Sequence, residues 1–447
     1  MATRLNQRAA PELPLLTRAP EAALFRTPRG PITTAAFLGA VRQVAAVLPA
    51  APYVLNLCRD RYRFTVALAA ALLRRQVMLL AGDHSHDRLH QLAVEYPGLY
   101  SLTDDSAQTS PLPHYLVQDW VGPDTDQVPR FAADQLAAIV FTSGTTGHPS
   151  AHHKPWGALV ARSIDAARRF HLNRATELGV VGMVPAHHMY GFETTVLLPL
   201  HASVTSWSGP AFFPSDVEAA LAMHPAPRVL ITTPLQIRAL LHASVQLPPL
   251  ARIISATAPL PPELAAEAEQ RWNTQVWEIF GATEVGSIAS RRTGSGDVWT
   301  TYPRVRLVGD DPVVHAPFAP PTPLADQVNL LDATRFRLVG RRADMIKLGG
   351  RRESLAALNR VLTGIDGVTD GVFLAPADLD TRPTARLTAL VVAPERTQEQ
   401  ILAALRGKID PLFLPRRVIR LDTLPRNEFG KLPDRAVAAI RDRFGVA

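Results

Sequence analysis

The chain has 447 residues, 47% of them hydrophobic, and its 47 Lys and Arg against 40 Asp and Glu give a formal net charge of +7. This length and apolar content predict a globular chain of more than one domain and exclude a disordered one. The basic excess is dispersed without a long run, so it suits anionic small molecules or an acidic partner and does not favour nucleic acid.

The single cysteine and the N-terminal segment indicate the cellular compartment in which the protein is expected. Cys58 excludes an internal disulfide and a cysteine-based metal site, and its apolar surroundings in sequence predict a core residue rather than a nucleophile. The first twenty residues lack the apolar region of a secretory signal, and the most apolar segment, 64–73, is too short to span a bilayer. We therefore expect a soluble cytoplasmic protein.

The first part of the chain alternates apolar strands with helical patterns. Strands are predicted at residues 53–58, 77–80, 137–141, 179–184, 229–232, 253–255 and 275–279. Helices are predicted at residues 34–48, 63–74, 156–170, 216–223, 234–243 and 262–272. This alternation predicts an α/β domain with largely parallel sheets, whose ligands bind at the loops beyond the carboxyl ends of the strands.

The second part of the chain follows a looser pattern. The proline-rich segment 309–323 predicts a loop with short edge strands, because proline cannot continue a helix or a central strand. Further strands are predicted at 345–348, 372–374, 387–392 and 418–421, and helices at 353–362, 398–409 and 433–443. We therefore predict a large domain, 1–340, and a small mobile α+β domain, 341–447.

A loop rich in hydroxyls and glycines follows the predicted strand at 137–141. Glycines let phosphate oxygens approach the backbone N–H groups, and hydroxyls add further donors, so the loop is a candidate phosphate site. It lacks the spacing of a Walker A loop, and on its own it is equally compatible with a surface turn. The residues of this loop are Thr142, Ser143, Gly144, Thr145, Thr146 and Gly147.

A second motif follows the predicted strand at 275–279 and reads Phe280-Gly281-Ala282-Thr283-Glu284. We expect Thr283 and Glu284 on a loop at the same sheet edge as the phosphate loop. A carboxylate there can hold Mg²⁺ and a hydroxyl can reach a phosphate oxygen. The alternative, that Glu284 is an ordinary acidic residue at a helix N-terminus, is equally compatible with the motif alone.

A third motif lies near the C-terminus, where Lys431 follows Gly430 in a predicted loop. Taken alone, Lys431 is more simply a solvated surface lysine. Together with the other two motifs, it is a mobile cation suited to an anionic transition state.

These motifs occur in the order and approximate spacing of the adenylate-forming superfamily, which most of the chain resembles. That superfamily includes acyl- and aryl-CoA synthetases, adenylation domains of peptide synthetases and luciferases. The resemblance implies ATP- and Mg²⁺-dependent activation of an aromatic or acyl carboxylic acid as acyl-AMP, then transfer to the thiol of CoA or of carrier-protein phosphopantetheine. The segments that carry it are 142–149, 280–284, 340–341 and 425–431.

The resemblance also implies roles for individual residues. The loop from Thr142 to Gly147 corresponds to the site for the β- and γ-phosphates of ATP. Phe280 corresponds to the aromatic residue that packs on adenine, Thr283 to the α-phosphate ligand and Glu284 to the Mg²⁺ ligand.

Four further residues match positions of the superfamily. Asp326 and Arg341 correspond to the residues that bind the ribose, and Lys431 to the lysine that bridges the carboxylate and the α-phosphate. His188 lies in a Pro-x-x-His-x-x-Gly motif, which places it beside the acid substrate, although a lone histidine is more often structural.

The departures from the superfamily are also informative. Ser150-Ala151 replaces the usual Lys-Gly, so either Lys154 supplies the missing charge at the phosphates or backbone and hydroxyls hold them alone. Thr257 lies in the stretch that usually reads Gly-Gly-Ala-Pro, and Ala343 stands at the hinge. The short chain and its Pro-x-x-His-x-Lys variant look like the acid-activating enzymes of aryl polyene or xanthomonadin-type clusters. A non-catalytic adenylate-binding homologue is the alternative.

The expected substrate pocket is mostly apolar, which favours an aromatic or acyl acid over an amino acid. An amino acid would require a carboxylate for its α-ammonium group. No acidic residue is evident where that group would need one, and Glu193 and Asp165 are the two acidic residues left open for the role.

Overall fold

The computed structural model describes residues 10–108, 110–118, 122–142, 150–173, 177–341, 345–348, 351–376, 386–427 and 432–445. By its internal contacts the chain divides into two compact units, Met1–Pro323 and Leu324–Ala447. This division falls earlier in the chain than the predicted domain boundary at 340/341. No helix within the described ranges is both long enough and apolar enough to cross a membrane.

The first unit contains two main sheets and the helices that pack on them. Its strands are β1 Glu12–Pro14, β2 Ala23–Thr27, β3 Gly30–Thr33, β4 Tyr53–Asn56, β5 Val77–Leu80, β6 Tyr100–Thr103, β7 His114–Leu116, β8 Arg130–Ala132, β9 Leu136–Thr142, β10 Ser150–Pro155, β11 Leu178–Gly182, β12 Val204–Trp207, β13 Arg228–Thr232, β14 Arg252–Ser255, β15 Val276–Ala282, β16 Gly286–Arg292, β17 Val298–Thr301, β18 Arg306–Val308, β19 Val313–His315 and β20 Thr322–Pro323.

The helices of the first unit mostly lie between successive strands. They are α1 Thr34–Val47, α2 Arg61–Leu73, α3 His86–Glu95, α4 Trp156–Arg169, α5 Met189–Gly191, α6 Leu198–His201, α7 Pro214–Ala222, α8 Pro234–His242 and α9 Pro262–Trp272, with a π-helix at Phe192–Leu197 joining α5 to α6 and a 3₁₀ turn at Thr293–Ser295. The strands and helices predicted for the alternating region are confirmed to within three residues. The helical stretch from α5 to α6 was not predicted.

Short polar side chains define where several helices begin. The Thr33 hydroxyl accepts a hydrogen bond from the N–H of Ala36 at 3.2 Å, which caps α1. The Asp60 carboxylate accepts from the N–H of Arg63 at 2.9 Å, which caps α2. Both caps satisfy amide donors that the first helical turn leaves without intrahelical acceptors.

The first sheet has the order β10-β9-β5-β4-β6-β7. Its strands are parallel except for β10, which returns from β9 as an antiparallel hairpin. The predicted phosphate loop therefore connects the two strands of this hairpin. Helix α2 contacts β4 and β5, and the large apolar core between sheet and helices includes Phe37, Phe64 and Met78. Cys58 is buried in this core, which confirms its predicted place.

The second sheet of the first unit has the order β17-β16-β15-β14-β13-β11-β12-β2-β3. The strands from β15 to β2 run parallel, and β16, β17 and β3 join antiparallel at the two sides. Because β9 and β15 belong to different sheets, the prediction that the phosphate loop and the Thr283–Glu284 turn share one sheet edge is wrong. Helix α4 contacts β10 of the first sheet and β16 of the second.

The second unit is a smaller α+β assembly. Its elements are β21 Asp326–Leu330, β22 Arg335–Arg341, β23 Met345–Leu348, β24 Arg351–Ser354, α10 Leu355–Thr363, β25 Asp370–Leu374, β26 Thr388–Val392, α11 Gln398–Arg406, a 3₁₀ turn at Pro411–Phe413, β27 Arg417–Arg420 and α12 Asp434–Phe444. Strands β21 and β22 form one hairpin and β23 and β24 another. A sheet of order β25-β26-β27 packs with α10 and α11 around a separate apolar core.

Candidate active site

A tight turn joins β15 to β16 and carries the predicted phosphate and metal ligands. Ala282 pairs with Gly286 across the two strands, and the N–H of Val285 donates to the carbonyl of Ala282 at 3.0 Å. Thr283 is half-buried and Glu284 is exposed, so both side chains can meet a ligand. The turn lies between strands, which excludes the alternative of Glu284 as a helix N-terminal acid.

The Glu284 carboxylate fits a magnesium ion that is mainly held by substrate. Magnesium is usually bound through one or two carboxylates together with water and substrate phosphates. Within the described part of the chain, no group of three or more His, Cys, Asp or Glu side chains is arranged to hold a metal by itself. The role of Glu284 as a ligand of magnesium stays a prediction.

Lys154 connects the first sheet to this turn. It lies on β10 opposite Ala138, and its side chain is only 2% exposed. The Nζ atom donates to the backbone carbonyl of Thr283 and to that of Glu284, the latter at 2.6 Å. Burial lowers the pKa of Lys154 to about 8, with the charges of Glu193 and Glu284 opposing that shift. The predicted contact of Lys154 with phosphate stays a prediction.

Glu193 holds the other end of the same turn. Its two carboxylate oxygens lie 3.2 and 3.1 Å from the backbone nitrogen of Ser287, and the Ser287 hydroxyl donates to Oε2. Gly286 has a φ of +99°, and a Cβ there would collide with Glu193 Oε1. Burial raises the pKa of Glu193, and the Ser287 hydrogen bonds and the charges of Arg162 and Lys154 oppose the rise. Glu193 is on the π-helix, a distortion that is frequent at functional sites.

The second acidic candidate for binding an α-ammonium group is also engaged. The side chain of Asp165 is fully buried and pairs with Arg162 at 2.9 Å and with Arg304 at 2.7 Å. Buried charges need such partners to offset the loss of hydration. Asp165 and Glu193 are therefore both paired with groups of the protein itself.

His188 directly precedes α5 and is half-buried, in the segment that follows β11. The neighbouring His187 packs its ring 4.9 Å from that of His84, centroid to centroid. Burial, with the nearby His84 and His188, lowers the pKa of His187 to about 3, so His187 is neutral at physiological pH. Gly191 has no room for a side chain, because a Cβ would collide with the carbonyl oxygen of Pro185. This close approach of the Gly191 and Pro185 backbones explains why the Pro-x-x-His-x-x-Gly motif has a glycine at this position.

Arg61 supports the backbone that leads into the His188 segment and was not identified from the sequence. Its guanidinium donates to the carbonyls of Gly182 at 2.6 Å, Val184 at 2.9 Å and Gly209 at 2.7 Å. The residue is 1% exposed, and burial lowers its pKa to about 10, opposed by the charge of Asp60. The sequence offers one indication of this role, an arginine at the start of an apolar helix. The helix predicted from the sequence begins at residue 63, however, and leaves Arg61 outside it.

We expect Arg61→Ala to lower the free energy of unfolding by about 3 kcal/mol or more, because three carbonyls then lose a charged donor inside the protein. Urea denaturation measures the change. Arg59→Ala is the matched control, since that side chain is exposed and its loss should change stability by less than about 0.5 kcal/mol. Equal stability of the two variants would show that Arg61 does not hold this segment.

For two further positions, Phe280 and Thr257, the resemblance implies a place in the nucleotide and acid pocket. Phe280 is 8% exposed and packs against Trp299 with a centroid separation of 5.7 Å. Thr257 follows β14 with a φ of +78°, where the superfamily has a glycine. A threonine in this left-handed region costs about 1–3 kcal/mol, and such strain clusters at functional sites. The role of Phe280 at adenine stays a prediction.

The remaining predicted site residues divide between described and undescribed positions. Asp326 and Arg341 face each other in register across the β21–β22 hairpin, so the structure brings the two predicted ribose ligands to the same end of the hairpin. Only the backbone is described for Thr142 and Arg341. The positions from Ser143 to Gly147, the hinge residue Ala343 and the predicted catalytic Lys431 lie outside the described residues.

Comparison with protein families and with characterised proteins gives a consistent result. The family model described as AMP-binding enzyme matches residues 19–335. A 4-coumarate–CoA ligase of Rhodobacter capsulatus is 30% identical over 296 residues, which are 66% of this chain and 73% of that protein. An indoleacetate–CoA ligase of Aromatoleum aromaticum is 25% identical over 349 residues, 68% of this chain and 67% of that protein.

Solved structures agree with the fold. The ATP-bound MatB from Rhodopseudomonas palustris superposes with a TM-score of 0.81 at 19% identity, covering 95% of this chain and 97% of that one. A benzoate CoA ligase from Burkholderia xenovorans has a TM-score of 0.72 at 17% identity, covering 94% and 96%. The predicted α/β class with a large N-terminal and a small C-terminal part is confirmed.

The family match and the CoA-ligase relatives confirm the resemblance to the adenylate-forming superfamily and the prediction of an acid–thiol ligase. They favour a catalytic protein over a non-catalytic homologue. The likeness to enzymes of aryl polyene or xanthomonadin-type clusters stays a prediction. With the family model matched over residues 19–335, the chain belongs to the AMP-binding enzyme family.

Proposed function

We propose that this protein activates an aromatic carboxylic acid with ATP, forming acyl-AMP and pyrophosphate, and then transfers the acyl group to the thiol of CoA with release of AMP. The observation that carries the proposal is the Thr283–Glu284 turn. It presents a hydroxyl and a carboxylate directly after Phe280, and Lys154 and Glu193 fix its backbone from two sides.

In the first step the substrate carboxylate attacks the α-phosphorus and the bond to pyrophosphate breaks. Negative charge accumulates on the phosphate oxygens in the transition state, where fixed donors and cations are most effective. The Thr283 hydroxyl would donate to an α-phosphate oxygen, and Lys431 would neutralise charge between the carboxylate and the phosphate. Magnesium held by Glu284 would supply further positive charge at the phosphates.

In the second step the thiol attacks the acyl carbon and AMP leaves. In the superfamily that the chain resembles, this step follows a change of conformation at the hinge that removes the lysine. We propose the same alternation for Lys431, with rotation about the junction from Arg341 to Asp344 that the resemblance implies. Gly340 has a φ of +159°, close to extended backbone, and the Ser354 hydroxyl leaves room there for no larger residue.

The substrate class follows from charge and from the relatives. Glu193 and Asp165 are engaged by Ser287 and by two arginines, so neither is available for the ammonium group of an amino acid. The relatives matched at 30% identity are named for 4-coumarate, an aromatic acid, and those at 25% for indoleacetate, also aromatic, and for long-chain fatty acids. These observations support an aromatic acid without an α-amino group.

The acceptor has two forms that share the same thiol arm. The relatives named as CoA ligases support CoA. A carrier protein is the second candidate, favoured by a cavity of about 600 Å³ in the second unit whose lining is strongly basic. The arginines of that lining are Arg406, Arg416, Arg417 and Arg420. A cytoplasmic location, where ATP and CoA are available, is part of the proposal.

The test is exchange of labelled pyrophosphate into ATP with benzoates, cinnamates, indoleacetate, fatty acids and amino acids in turn. We expect exchange with one or more aromatic acids and none with amino acids. The active acid is then supplied with CoA or with holo-carrier protein to identify the acceptor. Exchange with amino acids alone would contradict the proposed substrate class, and no exchange with any acid would favour a non-catalytic homologue.

A further inference from the structure

The turn after β15 is fixed through its backbone by two buried charged side chains. Lys154 approaches from the β9–β10 hairpin and donates to the carbonyls of Thr283 and Glu284. Glu193 approaches from the π-helix and accepts from the N–H and the hydroxyl of Ser287. A cation therefore binds the carbonyl side of the turn and an anion binds its amide side.

Burial removes the charges of Lys154 and Glu193 from water, which costs free energy unless the protein supplies hydrogen-bond partners. Lys154 is 2% exposed and Glu193 is 5% exposed, and a buried charge without full hydrogen bonding is strongly destabilising. The turn also has a closing hydrogen bond of its own, from the N–H of Val285 to the carbonyl of Ala282 at 3.0 Å. The contacts of the two charged side chains come in addition to that hydrogen bond and restrict how the turn is oriented.

We propose that Lys154 and Glu193 are positioning residues that together fix the Thr283 hydroxyl and the Glu284 carboxylate in the orientation required for MgATP. This inference rests on the proposed function and deepens it. The carbonyl of a residue and its side chain share one Cα, so fixing the carbonyls of Thr283 and Glu284 limits the directions their side chains can take. A displacement of about 1 Å at such groups can cost 100-fold in rate.

The position of Lys154 also accounts for an unusual feature of the sequence. The chain has Ser150-Ala151 where a lysine and a glycine are usual in the superfamily, and it has a lysine four residues after Ser150. Strand β10 carries that lysine into the interior, towards the turn after β15. In this chain the ammonium group of Lys154 therefore contacts the backbone carbonyls of Thr283 and Glu284.

The first test compares Lys154→Met and Lys154→Arg with Lys408→Met, an exposed lysine of the second unit, as the control. Methionine keeps the length and apolar contacts of the side chain but cannot donate, whereas arginine can donate to two carbonyls. We expect Lys154→Met to lower kcat/KM for MgATP at least tenfold in pyrophosphate exchange, with the KM for the carboxylic acid changed less than twofold. Lys154→Arg should stay within about threefold of the wild type, and Lys408→Met should be unchanged.

The second test is independent of catalysis and uses amide hydrogen exchange of the protein without nucleotide. We expect Lys154→Met to speed exchange at Val285 and Ser287 at least tenfold, with no change in β14. If Lys154→Met does not fold, Glu193→Gln serves instead. Its amide NH₂ cannot accept the Ser287 hydroxyl proton, and the same pattern should follow, a lower kcat/KM for MgATP with a KM for the carboxylic acid that is little changed.

Two results would overturn the inference. One is a folded Lys154→Met with wild-type MgATP kinetics. The other is an equal loss of affinity for MgATP and acid, which indicates general damage rather than a misplaced turn. A wild-type protein without exchange for any acid would contradict the proposed function, while the hydrogen-exchange comparison would still decide whether Lys154 fixes the turn.

Discussion

Lys431→Ala should reduce carboxylate-dependent pyrophosphate exchange by at least about 100-fold. The lysine is the mobile cation predicted to meet the carboxylate and the α-phosphate as negative charge develops, and loss of one such group typically costs 100- to 1,000-fold. The effect should fall on kcat, since the contact is made mainly in the transition state. Thiol transfer from chemically prepared acyl-AMP should continue, because the lysine is not needed in that step.

Lys408→Ala is the matched control for this prediction, since Lys408 is an exposed lysine in the same unit. Its exchange rate should equal that of the wild type. A Lys431→Ala protein with an intact exchange rate would refute the role given to Lys431. Equal loss of exchange and of transfer from acyl-AMP would point to a folding defect instead.

Glu284→Gln should have the second-largest effect, a loss of about 100-fold in exchange at a fixed magnesium concentration. Glutamine keeps the shape of the side chain and removes the negative charge that a hard divalent cation requires. The magnesium concentration for half-maximal rate should rise, and excess magnesium should restore part of the activity. A magnesium titration at saturating ATP and acid measures both effects.

The control for Glu284→Gln is Glu263→Gln, an exposed glutamate on α9. We expect wild-type magnesium dependence for it. A Glu284→Gln protein whose half-maximal magnesium concentration is unchanged would exclude Glu284 as a metal ligand, even if its rate were low.

Local sequence patterns predicted much of the fold because they act within one element. Helix α9 was predicted with the bounds it has, since Pro262 suits a first helical turn and Asn273 takes the left-handed conformation that ends it. Which strands pair with one another depends on tertiary packing, and the hydrophobic periodicity of a single segment does not determine it. For that reason β9 and β15 were expected at one sheet edge, although they lie in different sheets.

The candidate site likewise contains residues that sequence patterns predict and residues whose contacts depend on the tertiary structure. Thr283 and Glu284 could be predicted as candidates because motif order and spacing are properties of the sequence. Lys154 was noted for its charge, but its acceptors are backbone carbonyls 129 and 130 residues away, which no side-chain pattern indicates. Arg61 and Glu193 likewise act on the backbone of distant segments, 121 and 94 residues away. Only the folded arrangement reveals such contacts.

In the proposed reaction the acid is activated by attack of its carboxylate on the α-phosphorus of ATP. Supplying the active acid with both carboxylate oxygens labelled with ¹⁸O tests this directly, because that attack carries one labelled oxygen into the AMP that is released after thiol transfer. We predict AMP with a single ¹⁸O and unlabelled pyrophosphate. Label in inorganic phosphate, with ADP as the nucleotide product, would contradict acyl-AMP formation.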